Sequence, residues 1–149
     1  MIRPYKLKDK KELIDVFKQN IPTYFDLKEV KDFQDYLQKY SAYYYTIFYK
    51  KKIVGGVGCY LEGKNRIGRI TWIFFHPKYT GLGLGKKAIE HSLSILKLSS
   101  ELEKVVVTTS QLAYKFFEKF GFVLDKIEKD YWGLGLDLYL MELSFNNNS

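Results

Sequence analysis

Residues 70–89 read ITWIFFHPKYTGLGLGKKAI, Ile70 to Ile89. A β-rich run through Phe75 meets Pro77, crosses Gly81, Gly83 and Gly85, and passes directly into the helical pattern Leu84, Ala88, Ile89, Leu93, Leu96. A strand, glycine loop and helix in that order suit an anion. Glycines let the backbone adopt positive φ and approach a ligand, and the first unpaired N–H groups of the helix point at whatever sits there. A pyrophosphate is the natural guest. Lys86 and Lys87 stand in the first helical turn, where the dipole disfavours cations, so a bound polyphosphate is one reason for them and solvation of a surface helix is the other. The spacing excludes two better-known phosphate loops. A dinucleotide fingerprint needs a further glycine where Leu84 and Lys86 stand, and a Walker A loop needs glycine at Thr80 and Ser or Thr at Lys87.

Outward from this segment the pattern is mixed. Ile2 to Lys6 reads as a short strand, and Asp9 is placed to cap a helix with apolar positions Leu13, Ile14, Phe17 and Ile21. A second amphipathic helix is expected from Lys28 to Tyr40. Tyr43 to Tyr49, Ile53 to Leu61 and Arg66 to Phe75 read as an antiparallel meander, its first hairpin joined by Lys50, Lys51 and Lys52. Lys104 to Thr109 is a β-branched run suited to a strand buried on both faces. Gln111 to Phe120 reads as a helix stopped by Gly121, and Phe122 to Glu128 and Leu136 to Leu143 as strands around a loop Lys129 to Gly135. The expected order is β α α β β β α β α β β, in one mixed α/β domain over residues 1–144 with a frayed tail at 145–149.

Composition narrows the classes. The chain has 149 residues, 46% apolar and 28% charged, so it is neither disordered nor fibrous. One cysteine, Cys59, excludes an intrachain disulfide and a multi-cysteine zinc site, and two separated histidines indicate no metal. Neither a signal-peptide pattern nor a membrane-spanning run is visible, so a cytoplasmic protein is expected. The net charge of +7 favours an anionic partner without choosing one.

The glycine loop, together with Ala113 to Phe122, AYKFFEKFGF, resembles the GNAT superfamily of acetyl-CoA-dependent N-acetyltransferases. The resemblance covers nearly the whole chain, and NIPTYF and YWGLGLDLYLMEL look like features of a bacterial subgroup of unassigned substrate. It implies an enzyme that moves an acetyl group from acetyl-CoA to a primary amine, a small molecule or a peptide, by direct attack in a ternary complex, as monomer or homodimer. It also implies that the backbone at Phe74 and Phe75 pairs with pantetheine. The cradle for the pyrophosphate would be Thr80, Gly81, Leu82, Gly83, Leu84, Gly85 and Lys86, with Ser110, Tyr114 and Phe117 lining the far side.

Departures from the family pattern matter equally. Thr80 stands where Arg or Gln is usual, and Ser110 where Asn often ends the fifth strand. The tyrosine that commonly protonates the leaving thiolate is Phe117, which has no proton to give. Tyr114, one helical turn away, is the replacement candidate, with Tyr131 and Tyr139 behind it. The run Arg66 to Phe75 carries no carboxylate to act as base, which leaves His76, Asp137, Glu29 or water; His76 reads equally as a turn residue and Asp137 as a cap. Tyr24, Phe25, Glu29 and Tyr45 are expected on the acceptor side, in an aromatic group with Tyr43 and Tyr44. A non-catalytic acyl-CoA-binding or sensing module is the alternative; a basic RNA-binding domain is the weaker third, and nucleic acid is not the expected partner.

Overall fold

The computed structural model describes residues 1–145. The elements are β1 (Ile2–Pro4), α1 (Lys10–Lys18), α2 (Glu29–Tyr40), β2 (Tyr44–Tyr49), β3 (Lys52–Glu62), β4 (Ile67–Phe75), α3 (Leu84–Leu96), β5 (Lys104–Thr109), α4 (Tyr114–Glu118), β6 (Val123–Gly133) and β7 (Leu136–Ser144), with short 3-10 turns between some of them. Their order is the expected one. The strands form one seven-stranded sheet in the order β1-β2-β3-β4-β5-β7-β6. Every neighbour pair is antiparallel except β4 and β5, which run parallel.

Two apolar clusters cover the sheet's two faces. On one, Leu13, Ile14, Val16 and Phe17 of α1 and Phe33 and Leu37 of α2 pack on Tyr44 and Phe74. Phe17 is the hub, its ring 4.6–5.8 Å from those of Phe25, Phe33, Trp72 and Phe74. On the other, Leu84, Ala88, Ile89 and Leu96 of α3 pack on Val54, Val57, Ile70, Val105 and Val107. Val105, Val106 and Val107 are all buried, as a central strand requires.

Several boundaries differ from the sequence reading, each for a local reason. Asp9 does not cap α1. Its buried carboxylate instead binds Arg3, the Lys6 N–H and the Thr46 hydroxyl, tying β1 to β2. Helix α4 is five residues rather than ten, because Ser110 to Ala113 is spent on a turn in which Ser110 O accepts from the Ala113 and Tyr114 N–H groups. Strand β6 runs through most of the expected loop to Gly133, with its register broken between Glu128 and Gly133 where Asp130 has φ +54°. Phe145, expected to fray, donates its N–H to Glu103 O and lies under the Lys97 ammonium; the rest of the expected tail, 146–149, lies outside the described residues. Between β2 and β3 the connection is only Lys50-Lys51, both with positive φ (48° and 67°), the geometry of a type I′ turn.

Candidate active site

Strands β4 and β5 pair from Ile67 opposite Lys104 to Ile70 opposite Val107, and there the ladder ends. Thr71 to Phe75 continue without a β5 partner, while Thr108 and Thr109 pair only with β7. A wedge opens between the two parallel strands. It begins at a bulge: Trp72 and Ile73 oppose the single residue Val57, and Trp72 takes φ +47°. The Tyr44 hydroxyl donates to Trp72 O at 2.7 Å and fixes the bulge from the α2 side. Two glycines in β3 make room for tyrosines on this face, since a Cβ at Gly56 would strike the Tyr44 ring and one at Gly58 the Tyr36 hydroxyl.

Backbone direction in the wedge follows from one hydrogen bond. His76 N–H donates to Val54 O at 2.7 Å, so His76 and Phe74 face β3 and, by strand alternation, Ile73 and Phe75 face the gap. Of the two residues expected to pair with pantetheine, Phe75 therefore turns its N–H to the wedge. Phe74 does not: its backbone pairs with Gly56 and its ring is buried on Phe17 and Phe33. Ile73 was missed because the bulge that sets the phase leaves no mark in the sequence. Asn20 Nδ2 holds Phe75 O at 3.1 Å and Val16 O at the same distance, anchoring the α1–α2 connection to the end of β4.

The glycine loop lies beyond that end. Gly81 (φ +81°) and Gly83 (φ +75°) both require the left-handed region, and nothing lies within 4 Å of where their Cβ would be. Among the described residues, no protein acceptor takes the N–H of Thr80 through Lys86; the first helical bond is Lys87 N–H to Gly83 O. Unpaired amides, an open loop, two exposed lysines and no acid in the first turn make this a seat for phosphate oxygens. Gly85 has a different reason: its Cβ would meet the Phe116 ring at 2.4 Å, so it sets how closely α4 packs on α3. Thr80 turns its hydroxyl onto Pro77 O, and Leu82 is exposed.

Across the wedge, Ser110 is buried and its Oγ accepts from Leu112 N–H at 3.2 Å, leaving its proton free to donate. Tyr114 opens α4, half-buried, with its ring 5.0 Å from that of Tyr139. Phe117 is 2% exposed among Phe116 and Phe122, so it belongs to the core under α3 and offers no surface to a ligand. Trp132 Nε1 donates to Thr109 O at 3.0 Å, closing the end of β5 with the β6–β7 hairpin. Gln111 braces the same hairpin, donating to Gly135 O and accepting from Asp137 N–H.

The base candidates separate on geometry. His76 Nδ1 accepts from Lys78 N–H in the turn after β4, and burial together with Lys78 and Lys52 lowers its pKa. Asp137 accepts from Asp130 N–H within the hairpin. Both carry out the structural roles the sequence allowed them. Glu29 is 5% exposed at the start of α2, its Oε2 accepting from Asp26 N–H at 2.8 Å, while Gly133 packs against Asp26. Burial is the main cause that pushes the Glu29 carboxyl up to about 7, the bond from Asp26 N–H opposing it. A carboxyl with a raised pKa binds its proton more tightly folded than unfolded, so its contribution falls as pH climbs from its ordinary value of 4.5 through about 7. Glu29→Gln, which keeps the acceptor oxygen, should flatten melting temperature against pH over that range and raise stability at pH 8 by about 2 kcal/mol, read by thermal unfolding. An unchanged pH profile would show that Glu29 is not held in this environment.

The expected acceptor residues divide as well. Phe25 packs into the core against Phe17 and Phe74, and Tyr44 is buried there too. Tyr24 is exposed on the α1–α2 connection. Tyr45 and Tyr43 line a separate cavity at the edge of β3. No group of metal-ligating side chains is gathered among the described residues, and no helix among them is long and apolar enough to cross a membrane.

Residues 11–122 match the family model described as Acetyltransferase (GNAT) family. The chain belongs to the GNAT acetyltransferases. An N-alpha-acetyltransferase of Sulfolobus acidocaldarius is 27% identical over 136 residues, covering 83% of this chain and 77% of that protein. In the same fold, Ard1 from Thermoplasma volcanium superposes with TM-score 0.81 at 16% identity, covering 99% of this chain and 98% of the other. An aminoglycoside 6'-N-acetyltransferase complexed with coenzyme A does so with TM-score 0.76 at 9% identity, covering 100% and 99%. This GNAT member is an acyltransferase whose cosubstrate is acetyl-CoA and whose acceptor is an amine.

Proposed function

We propose that this GNAT enzyme binds acetyl-CoA with its pyrophosphate on the amides of Gly81 to Lys86 and its pantetheine along Ile73 and Phe75. On this reading it passes the acetyl group directly to a primary amine on the α1–α2 side. The observation that carries the reading is the wedge past Ile70, which lies on the same strand that leads into the unpaired amides of the glycine loop. An unpaired N–H facing the gap polarises the thioester carbonyl without a side chain. The neutral amine attacks the carbonyl carbon, the C–N bond forms and the C–S bond breaks. The electron pair leaves on sulfur, which takes a proton, and the ammonium formed at nitrogen gives one to water.

Tyr114 is the proposed donor to the thiolate. It stands on the opposite wall of the wedge from β4, one turn before the core residue Phe117. Tyr114→Phe should lower kcat by about 10- to 100-fold and leave acetyl-CoA affinity unchanged, because a general acid acts only as the thiolate leaves. Equal turnover in the variant would remove Tyr114 from the chemistry. Release of free CoA thiol from acetyl-CoA, screened over small amines and peptide N-termini, tests the whole reading; binding of acetyl-CoA without release for any acceptor would favour the sensing module instead. The peptide arm has its support in the N-alpha-acetyltransferase likeness, and the small-molecule arm in the aminoglycoside one.

A further inference from the structure

A cavity of about 730 Å³ opens beside the wedge. Strand β2 begins at Tyr44 opposite Gly58, so Cys59 to Glu62 form a free edge of β3, and the cavity wraps around that edge. On the α2 side its walls are Tyr36, Tyr40, Tyr43, Tyr60, Thr71 and Trp72. Thr71 and Trp72 are the first residues of β4 beyond the last pair with β5, so this lobe touches the wedge where the wedge begins.

Its wall chemistry is unusual for this chain. Twenty-four lysines and arginines give the protein a net charge of +7, yet neither a cation nor a carboxylate lines the cavity. Arg69 and Glu62, the charges that act on Tyr60, are paired with each other. Four tyrosines and a tryptophan surround the lobe, with ring centroids 5.8 Å apart for Tyr36 and Tyr40, 6.1 Å for Tyr36 and Trp72 and 6.4 Å for Tyr43 and Tyr60. The Tyr36 hydroxyl is buried there with no partner. Aromatic faces carry the negative part of the ring quadrupole, so such walls attract a desolvated cation more than an apolar group of the same size.

We propose that this tyrosine cage holds a second, positively charged alkylammonium of the acceptor while the reacting amine enters the wedge at Trp72. The inference rests on the amine-acetylation reading and narrows its acceptor to dications, either a free diamine or a peptide whose lysine side chain follows its N-terminus. Two matched pairs differ only in that charge: 1,4-diaminobutane against pentylamine, and Ser-Lys-amide against Ser-norleucine-amide. Each is titrated calorimetrically into the CoA-loaded full chain and assayed by thiol release.

The dicationic member of at least one pair should bind about fivefold or more tightly than its match and show the same advantage in kcat/KM. Which pair shows it identifies the source. The advantage should collapse in Tyr40→Leu, Tyr60→Leu and persist in Tyr40→Phe, Tyr60→Phe, since the ring face and not the hydroxyl supplies the attraction. Equal affinities within both pairs, or an advantage that survives the leucine variant, would overturn the cage. Melting temperature and acetyl-CoA affinity of each variant report folding. Failure of the wild type to bind acetyl-CoA or to release thiol with any amine would count against the acetylation reading, while the diamine titration still reads the cage by itself.

Discussion

Gly81→Asp, Gly83→Asp should weaken acetyl-CoA binding by at least about 100-fold in calorimetric titration, with a small loss of melting temperature. Both positions are exposed, and a Cβ at either meets no atom within 4 Å, so neither substitution disturbs packing. The cost to the fold is the positive φ, which aspartate tolerates better than most residues and which amounts to about 1 kcal/mol per position. The cost to binding is larger. Two carboxylates would stand among the amides of Gly81 to Lys86, the groups that have no protein acceptor, and would repel the phosphates that those amides receive. Gly85→Asp would give a misleading answer, because it drives a side chain into Phe116 and tests the α3–α4 contact instead. Unaltered affinity in the 81/83 variant would mean that the pyrophosphate sits elsewhere.

Phe17→Ala should destabilise the protein by about 3–5 kcal/mol in denaturant unfolding. The ring is fully buried and touches four other aromatic rings from the α1–α2 connection, α2 and β4, so its removal leaves a cavity that no single neighbour can fill. Activity should fall as well, for a reason distinct from stability. Trp72 belongs to the bulge and Phe74 follows it, and Phe17 is the support on their α1 side. A loss below about 1.5 kcal/mol, within the range of volume-conserving core changes, would mean that the first helices close over the gap.

Much of this architecture is written in short-range patterns. The strand, glycine loop and α3 followed from Pro77, the alternate glycines and the Leu84–Ala88–Leu96 stripe, because local backbone requirements fix them. The residues of the wedge were harder to read. That Ile73 rather than Phe74 faces β5 depends on the bulge at Trp72, and that Glu29 is buried depends on a hairpin more than a hundred residues later closing over Asp26. Asn20 and Trp132 each hold a backbone carbonyl at the end of a strand remote in sequence, and nothing next to either residue announces it. The glycines of β3 were the available signal. Of three in one strand, Gly56 and Gly58 mark where Tyr44 and the Tyr36 hydroxyl press against the sheet, and Gly55 marks the close approach of the Phe74 carbonyl. The tyrosine cavity is half legible: Tyr43 and Tyr45 stand in the aromatic group expected on the acceptor side, while Tyr36 and Tyr60 join them only through the fold.

The turn Lys50-Lys51 bears on how far this protein can be altered. Two lysines sit in a backbone region that asparagine and glycine occupy at lower cost, at the end of β2 where Tyr49 packs on Tyr79 ahead of the glycine loop. The family of variants needed to dissect the wedge and the cage will each surrender some stability, and a marginal scaffold would turn many of them into precipitate. Lys50→Asn, Lys51→Gly relieves backbone strain without replacing a residue that lines the wedge or the cage. A background carrying that pair widens the set of active-site changes whose effects can be measured on a folded enzyme.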